Sequence, residues 1–149
     1  MQIKEIKPIN FLYHRVETTV NELAAFIPMA KEIYREAVQT DLHITGPMHW
    51  HYLGFSGVDT PFTLEISLPV SHVLSDYDGK FHFKRTQPFK CVSMIHEGDW
   101  LEMPRTYDLL MQFIADHQMK TVSVSREIYL NSDFQNSEAN ITEVQIGIL

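Results

Sequence analysis

The chain has little that would fasten it to a membrane, to a polyanion or to itself. Its 149 residues include one cysteine, Cys91, which excludes an intrachain disulfide and any thiolate-rich zinc site. Cys91 lies in the apolar run Phe89 to Ile95 and reads as a small buried strand residue. Basic residues number 12 against 19 acidic ones, a net charge of −7. That deficit argues against direct nucleic-acid binding, which needs a basic surface to neutralise phosphates, and against docking on anionic membranes. No apolar run approaches the ~20 residues that span a bilayer. The opening MQIKEIKPIN has no apolar core of a secretory leader, so a cytoplasmic home is expected. There is no GxSxG, no glycine-rich phosphate loop and no Walker pattern. Ser123 and Ser125 have no neighbouring base, and no cofactor is called for. With 44% hydrophobic and 21% charged residues, the composition is that of one globular domain over 1–149.

What the chain does have is one pattern stated twice. TLEISLP (Thr63 to Pro69) is answered by ITEVQIG (Ile141 to Gly147), each setting a glutamate, Glu65 or Glu143, into a strand-like alternation. MHWHYLG (Met48 to Gly54) is answered by REIYLN (Arg126 to Asn131), with Tyr52-Leu53 matching Tyr129-Leu130. Ile27-Pro28 is answered by Met103-Pro104, each opening an apolar helical pattern. The order strand, helix, strand, strand thus occurs twice, over about 8–70 and 81–149. The expected fold is α+β: a tandem repeat with pseudo-twofold symmetry, two antiparallel sheet halves forming a ligand groove, and helices on the other face.

Local signals place the elements. Phe11 to Val16 reads as a strand, and Thr19 with Glu22 has capping-box spacing before a helical turn at Val20. Pro28 restarts the helix, since proline fits only the first turn. Ile27, Ala30, Ile33, Tyr34, Ala37 and Val38 then share one face at 3.6-residue spacing. Met48 to Phe55 and Phe62 to Val70 read as a hairpin joined around Gly57-Val58-Asp59. Ser71 to Lys80 connects the halves. In the second half, Phe81 to Phe83 and Phe89 to His96 read as strands, Gly98-Asp99-Trp100 as a turn, and Pro104 to about His117 as a helix burying Tyr107, Leu110, Phe113 and Ile114. Thr121 to Leu130 and Asn140 to Ile148 close the copy.

Strand parity suggests where the chemistry lies. Thr142, Val144, Ile146 and Ile148 are expected to meet the helices, leaving Glu143 and Gln145 on the opposite face. Ile128 and Leu130 are read as facing the helices too, which puts Glu127 and Tyr129 away from them. Trp50, Tyr52, Glu65 and Ser67 are assigned to that same outer face. One face would then carry three carboxylates and three large aromatics, the lining expected of a pocket for a small hydrophobic or cationic ligand. Ring faces attract cations, worth about 0.5–2 kcal/mol each, and a cation relieves the cost of a partly buried carboxylate. His49 and His51 point to the side opposite Trp50; two imidazoles lack the further ligands that zinc needs, so no metal site is expected.

REIYL followed by ITEVQIGI resembles the GyrI-like small-molecule-binding domains, which also form the effector-binding part of some AraC-type and MerR-type bacterial regulators. The strand entering His96-Glu97-Gly98-Asp99, the helix with Tyr107 and Leu110, and Thr142-Glu143-x-x-Ile146 agree with it. The resemblance covers the whole chain and implies a groove between the two copies that takes bulky, often cationic, aromatic compounds. Glu127 and Glu143 match its acidic positions, and the expected lining comprises these with Tyr129, Trp50, Tyr52, Glu65, Trp100 and Tyr107. Two departures stand out: Gly147 replaces the usual proline after the last strand, and no helix-turn-helix precedes the domain, so a stand-alone binder is expected. Some members are hydrolases of cyclopropane-bearing toxins; the runner-up reading therefore makes Glu127 or Glu143, with Tyr129, catalytic. A third reading is an interaction protein that binds another macromolecule.

Overall fold

The computed structural model describes residues 1–149. Eight strands, β1 (Gln2–Ile6), β2 (Asn10–Thr18), β3 (His49–Leu53), β4 (Phe62–Pro69), β5 (His82–Arg85), β6 (Phe89–Glu97), β7 (Thr121–Asn131) and β8 (Ile141–Ile148), form one antiparallel sheet in the order β1-β6-β8-β7-β3-β4-β2-β5. Two helices, α1 (Ile27–Gln39) and α2 (Met103–Asp116), lie on one face. The α+β fold with its twice-stated strand, helix, strand, strand order is as the sequence reads, except that β5, read as opening the second copy, pairs with β2 of the first, and β1 pairs with β6 of the second. The halves join where β3 pairs with β7, with Trp50 opposite Glu127.

Each helix begins where proline allows. Pro28 and Pro104 occupy the first turn, where a missing N–H costs nothing. A 3-10 segment, Val20–Phe26, precedes α1, and Thr19 makes no side-chain cap. The capping box therefore does not form; Glu22 is bonded instead by the Thr18 hydroxyl at 3.4 Å. On α1, Ile33 and Ala37 are fully buried, whereas Val38 is 64% exposed, so the buried stripe is narrower than the spacing suggests. On α2, Leu110 and Ile114 are buried and Tyr107 and Phe113 half-buried. β1 is a strand that the polar pattern QIKEI did not announce. Neither helix is long and apolar enough to cross a membrane.

The helices divide the apolar interior into two cores. One gathers Ile33 and Ala37 with Leu12, Leu64, Ile66 and Leu68; the other gathers Leu110 and Ile114 with Val92, Val144 and Ile146. α1 packs over β2 and β4, and α2 over β6 and β8. The middle strands β3 and β7 are left as the floor of a cleft between the helices.

The sheet is strongly curled. Phe11 on β2 and His49 on β3 lie two strands apart, about 9.6 Å in a flat sheet. Their ring centroids are nevertheless 5.0 Å apart. The far face therefore closes over its own middle: His51, Ser67 and Cys91 are nearly inaccessible although no helix covers them.

Candidate ligand cleft

Residues directly opposed in an antiparallel pair project from the same face. Glu127 opposes Val144 on β8 and Trp50 on β3, and Tyr129 opposes Thr142. Val144 lies in the α2 core, so Glu127, Tyr129 and Trp50 face the helices. Tyr52, opposite Leu64, joins them. This corrects the face assigned from sequence: only Glu65 and Glu143 among the expected lining lie away from the helices. The alternation on β7 misled because both of its faces are buried. Ile128 is 6% exposed on the far face and Glu127 7% exposed in the cleft, so the apolar side of the strand does not mark the core.

Glu127 sits in a cage of phenols. Tyr52 and Tyr129 donate to its Oε1 at 3.0 and 2.7 Å, and Tyr107 of α2 donates to Oε2 at 2.6 Å. Burial raises the carboxyl's pKa from its ordinary value, and the three phenol hydrogen bonds work against that rise. The same burial, reinforced by the Glu127 charge, lifts all three phenols well above theirs, so they act as neutral donors. No lysine or arginine pairs with this carboxylate.

Indoles complete the walls. Trp50 meets Tyr129 edge-on at 6.0 Å, and Trp100 meets it at 5.6 Å. Trp100 donates its indole N–H to Thr142 at 3.1 Å. Its position follows from the turn before α2. Gly98 takes φ +110, a conformation that favours glycine. His96 then clamps the turn, accepting from the Thr106 hydroxyl at 2.7 Å and donating to the Asp99 carbonyl at 2.8 Å. The cage thus spans both cores: Trp50, Tyr52 and Tyr129 belong to the α1 side, Trp100 and Tyr107 to the α2 side.

Six of the eight expected lining residues converge here: Glu127, Tyr129, Trp50, Tyr52, Trp100 and Tyr107. The other two are committed elsewhere. Glu65 pairs with Lys84 and Arg15; Glu143 accepts from Lys4, Ser93 and Gln145 at 3.0, 2.8 and 2.7 Å. Their outward parity on β4 and β8 was legible; it was the aromatic set that belonged to the other side. Two residues beside the cage were not among the expected lining. Thr142 is a polar residue on an inward parity, which was a usable signal; Phe134, 69% exposed and 5.5 Å from Trp100 at the cleft rim, comes from a loop with no periodicity to flag it.

A two-lobed α+β domain with an acid-centred aromatic cleft between its lobes is the architecture of a small-molecule-binding domain. The chain belongs to the GyrI-like small molecule binding domain family, whose model matches residues 1–149. Among solved structures it is similar to the EcmrR C-terminal domain, with 20% identity and a TM-score of 0.84 over 99% of this chain and 96% of that one. The EcmrR–DNA complex matches with 21% identity and a TM-score of 0.83 over 99% of this chain; the match spans 56% of that longer protein. SAV2435 bound to tetraphenylphosphonium matches with 16% identity and a TM-score of 0.65 over 99% of this chain and 93% of that one. At these identities the likeness is one of fold. No curated protein matches significantly.

Proposed function

We propose that the domain binds bulky lipophilic cations in the cleft between α1 and α2. Glu127 supplies the counter-charge, and Trp50, Tyr52, Trp100, Tyr107 and Tyr129 supply the walls. One observation carries this reading: a carboxylate that is 7% exposed, held by three neutral hydroxyls and paired with no cation. Such a group is costly to bury, and a cation that enters its cage relieves the cost. Rings of the same cage add cation–π attraction without polar selectivity, which suits large delocalised cations over small hydrated ones. The cleft is closed around Glu127 by its own side chains, so binding requires Tyr or Trp side chains to swing aside. The tetraphenylphosphonium on the similar SAV2435 makes that compound the natural probe.

The test is a pair of ligands alike in shape and opposite in charge. Tetraphenylphosphonium is expected to raise the melting midpoint saturably, by mass action on the folded state; tetraphenylborate is not. Equal stabilisation by both would show a greasy surface without a counter-charge, and would overturn the proposal. A hydrolase reading is favoured by one feature, the raised pKa of Glu127 beside Tyr129, which suits a general base. Mass spectrometry of recovered reactive ligands separates the two: intact ligand supports a binder, a hydrated product an enzyme.

A further inference from the structure

The sheet face away from the helices holds a second cluster, and it is not built like a solvated surface. Arg126 of β7 is 5% exposed, with its guanidinium 3.9 Å from the centre of the Phe89 ring. Gly147 makes that stack possible, since a Cβ there would come within 2.7 Å of the ring. Yet Arg126 makes no hydrogen bond and no ion pair, and its Nε and Nη1 are buried without partners. A buried charge in that state is expensive. Nearby carboxylates do not supply the missing partner: Glu65 is held by Lys84 and Arg15, and Glu143 by Lys4, Ser93 and Gln145.

A second free donor follows from the adjacent strand. Lys84 Nζ lies 3.4 Å from His51 Nδ1, and an ammonium can only donate. A neutral His51 therefore carries its proton on Nε2, which is 3.1 Å from His49 Nδ1. His49 then accepts on Nδ1 and carries its own proton on Nε2, which makes no hydrogen bond within the protein; the buried Gln145 Oε1, opposite Arg126 on the same face, is likewise without a partner. Burial, followed by the charge of Arg126, holds His49 at about 3, so the neutral form is the relevant one. In register, Arg126 opposes His51, and Ile128 opposes His49. The two unspent donors thus come from neighbouring strands of one concave face.

By register this face carries Lys4, Arg15, Lys84 and Arg126 with Glu17, Glu65, Glu97 and Glu143, and the carboxylates nearest Arg126 are already paired. We propose that this face binds a small oxyanion, a carboxylate or a phosphate, between the Arg126 guanidinium and the Nε2–H of His49. Guanidinium groups bond such oxyanions through two parallel N–H donors, and the Phe89 platform holds the plane of this one fixed. The site lies on the opposite side of the sheet from Glu127 and does not depend on what the cleft binds.

The experiment titrates the full chain with acetate, and separately with inorganic phosphate, at an ionic strength fixed with sodium chloride. The readouts are the ¹⁵N-coupled signals of the Arg126 Nε–H and the His49 Nε2–H, together with the melting midpoint. The expected result is a saturable shift of both signals with at least one anion, and a saturable rise of several degrees in the midpoint. Tighter binding of acetate would assign a planar carboxylate; tighter binding of phosphate, a tetrahedral anion. Arg126→Met removes an unpartnered charge, so it is expected to fold with an undiminished midpoint and to lose the anion response. Shifts that grow linearly without saturating, or an equal midpoint rise in Arg126→Met, would overturn the proposal. Should that variant not fold, the wild-type Arg126 Nε–H titration decides alone, saturation supporting the site and its absence refuting it.

Discussion

Replacing Glu127 with glutamine keeps the shape of the cage and removes its charge. A delocalised cation seated among the rings would place its charge about 5 Å from the carboxylate, and at an effective dielectric of ~20 that attraction is roughly 3 kcal/mol. The aromatic walls, with their cation–π share, stay in place in the variant. Since about 1.4 kcal/mol is tenfold in affinity, Glu127→Gln is expected to weaken tetraphenylphosphonium binding by about 100-fold. A neutral aromatic ligand of similar size feels only the walls, so its affinity is expected to change by less than about threefold. Isothermal titration calorimetry on both proteins with both ligands measures the four constants, and their ratio isolates the charge. Equal losses for the cation and the neutral ligand would mean that the substitution disturbed packing, and the electrostatic argument would fail.

The same variant has a stability signature with a fixed sign. Burial lifts the Glu127 carboxyl above its unfolded value, so the favourable protonated state counts fully below that value and is lost as pH rises through the folded one. Denaturant titrations at about pH 4 and about pH 7.5 should therefore find the wild type losing stability relative to Glu127→Gln at the higher pH; a gap moving the other way would be contrary. Tyr107→Phe deletes the 2.6 Å bond to the carboxylate, expected to cost about 1.5–3 kcal/mol as a hydrogen bond to a charged group; an unchanged denaturation midpoint would show that the bond contributes nothing. Leu110→Ala empties a fully buried position in the α2 core and should cost about 2–5 kcal/mol by thermal or chemical denaturation, with a cost near zero meaning that the core is not packed as described. Cys91 is buried, and its thiol is pushed up to about 11, so a thiol-reactive dye should label it only after unfolding; fast labelling of the native protein would contradict its placement.

How much of this was legible in the sequence turns on which strands have one buried face. On β4, Leu64, Ile66 and Leu68 alternate with Glu65 and Ser67, and the alternation reports the core side correctly. On β7 the rule breaks, because the curl of the sheet buries the far face as well. Ile128 turns outward into that concavity, while the charged Glu127 turns inward among phenols. Residue types were therefore a sound guide to which side chains cluster around Glu127 and a poor guide to the face they share. The proline-started helices were readable because proline acts locally; β1 was not, since an edge strand takes its identity from β6, to which it pairs. Arg126 offers a similar lesson. Nothing in its sequence neighbourhood marks it as buried; its burial and its unpartnered Nε and Nη1 come only from the packing of the folded sheet.

The central claim is that the ligand sits on Glu127, in the cleft between the helices. The most direct measurement is ¹³C NMR of the glutamate side-chain carboxyls during titration with tetraphenylphosphonium, with the Trp100 indole N–H followed in the same samples. The Glu127 carboxyl and the Trp100 indole are predicted to shift saturably and together, with Glu65 and Glu143 unmoved. Saturable shifts at Glu65 and Glu143 with Glu127 unmoved would place the ligand on the opposite face of the sheet and contradict the account.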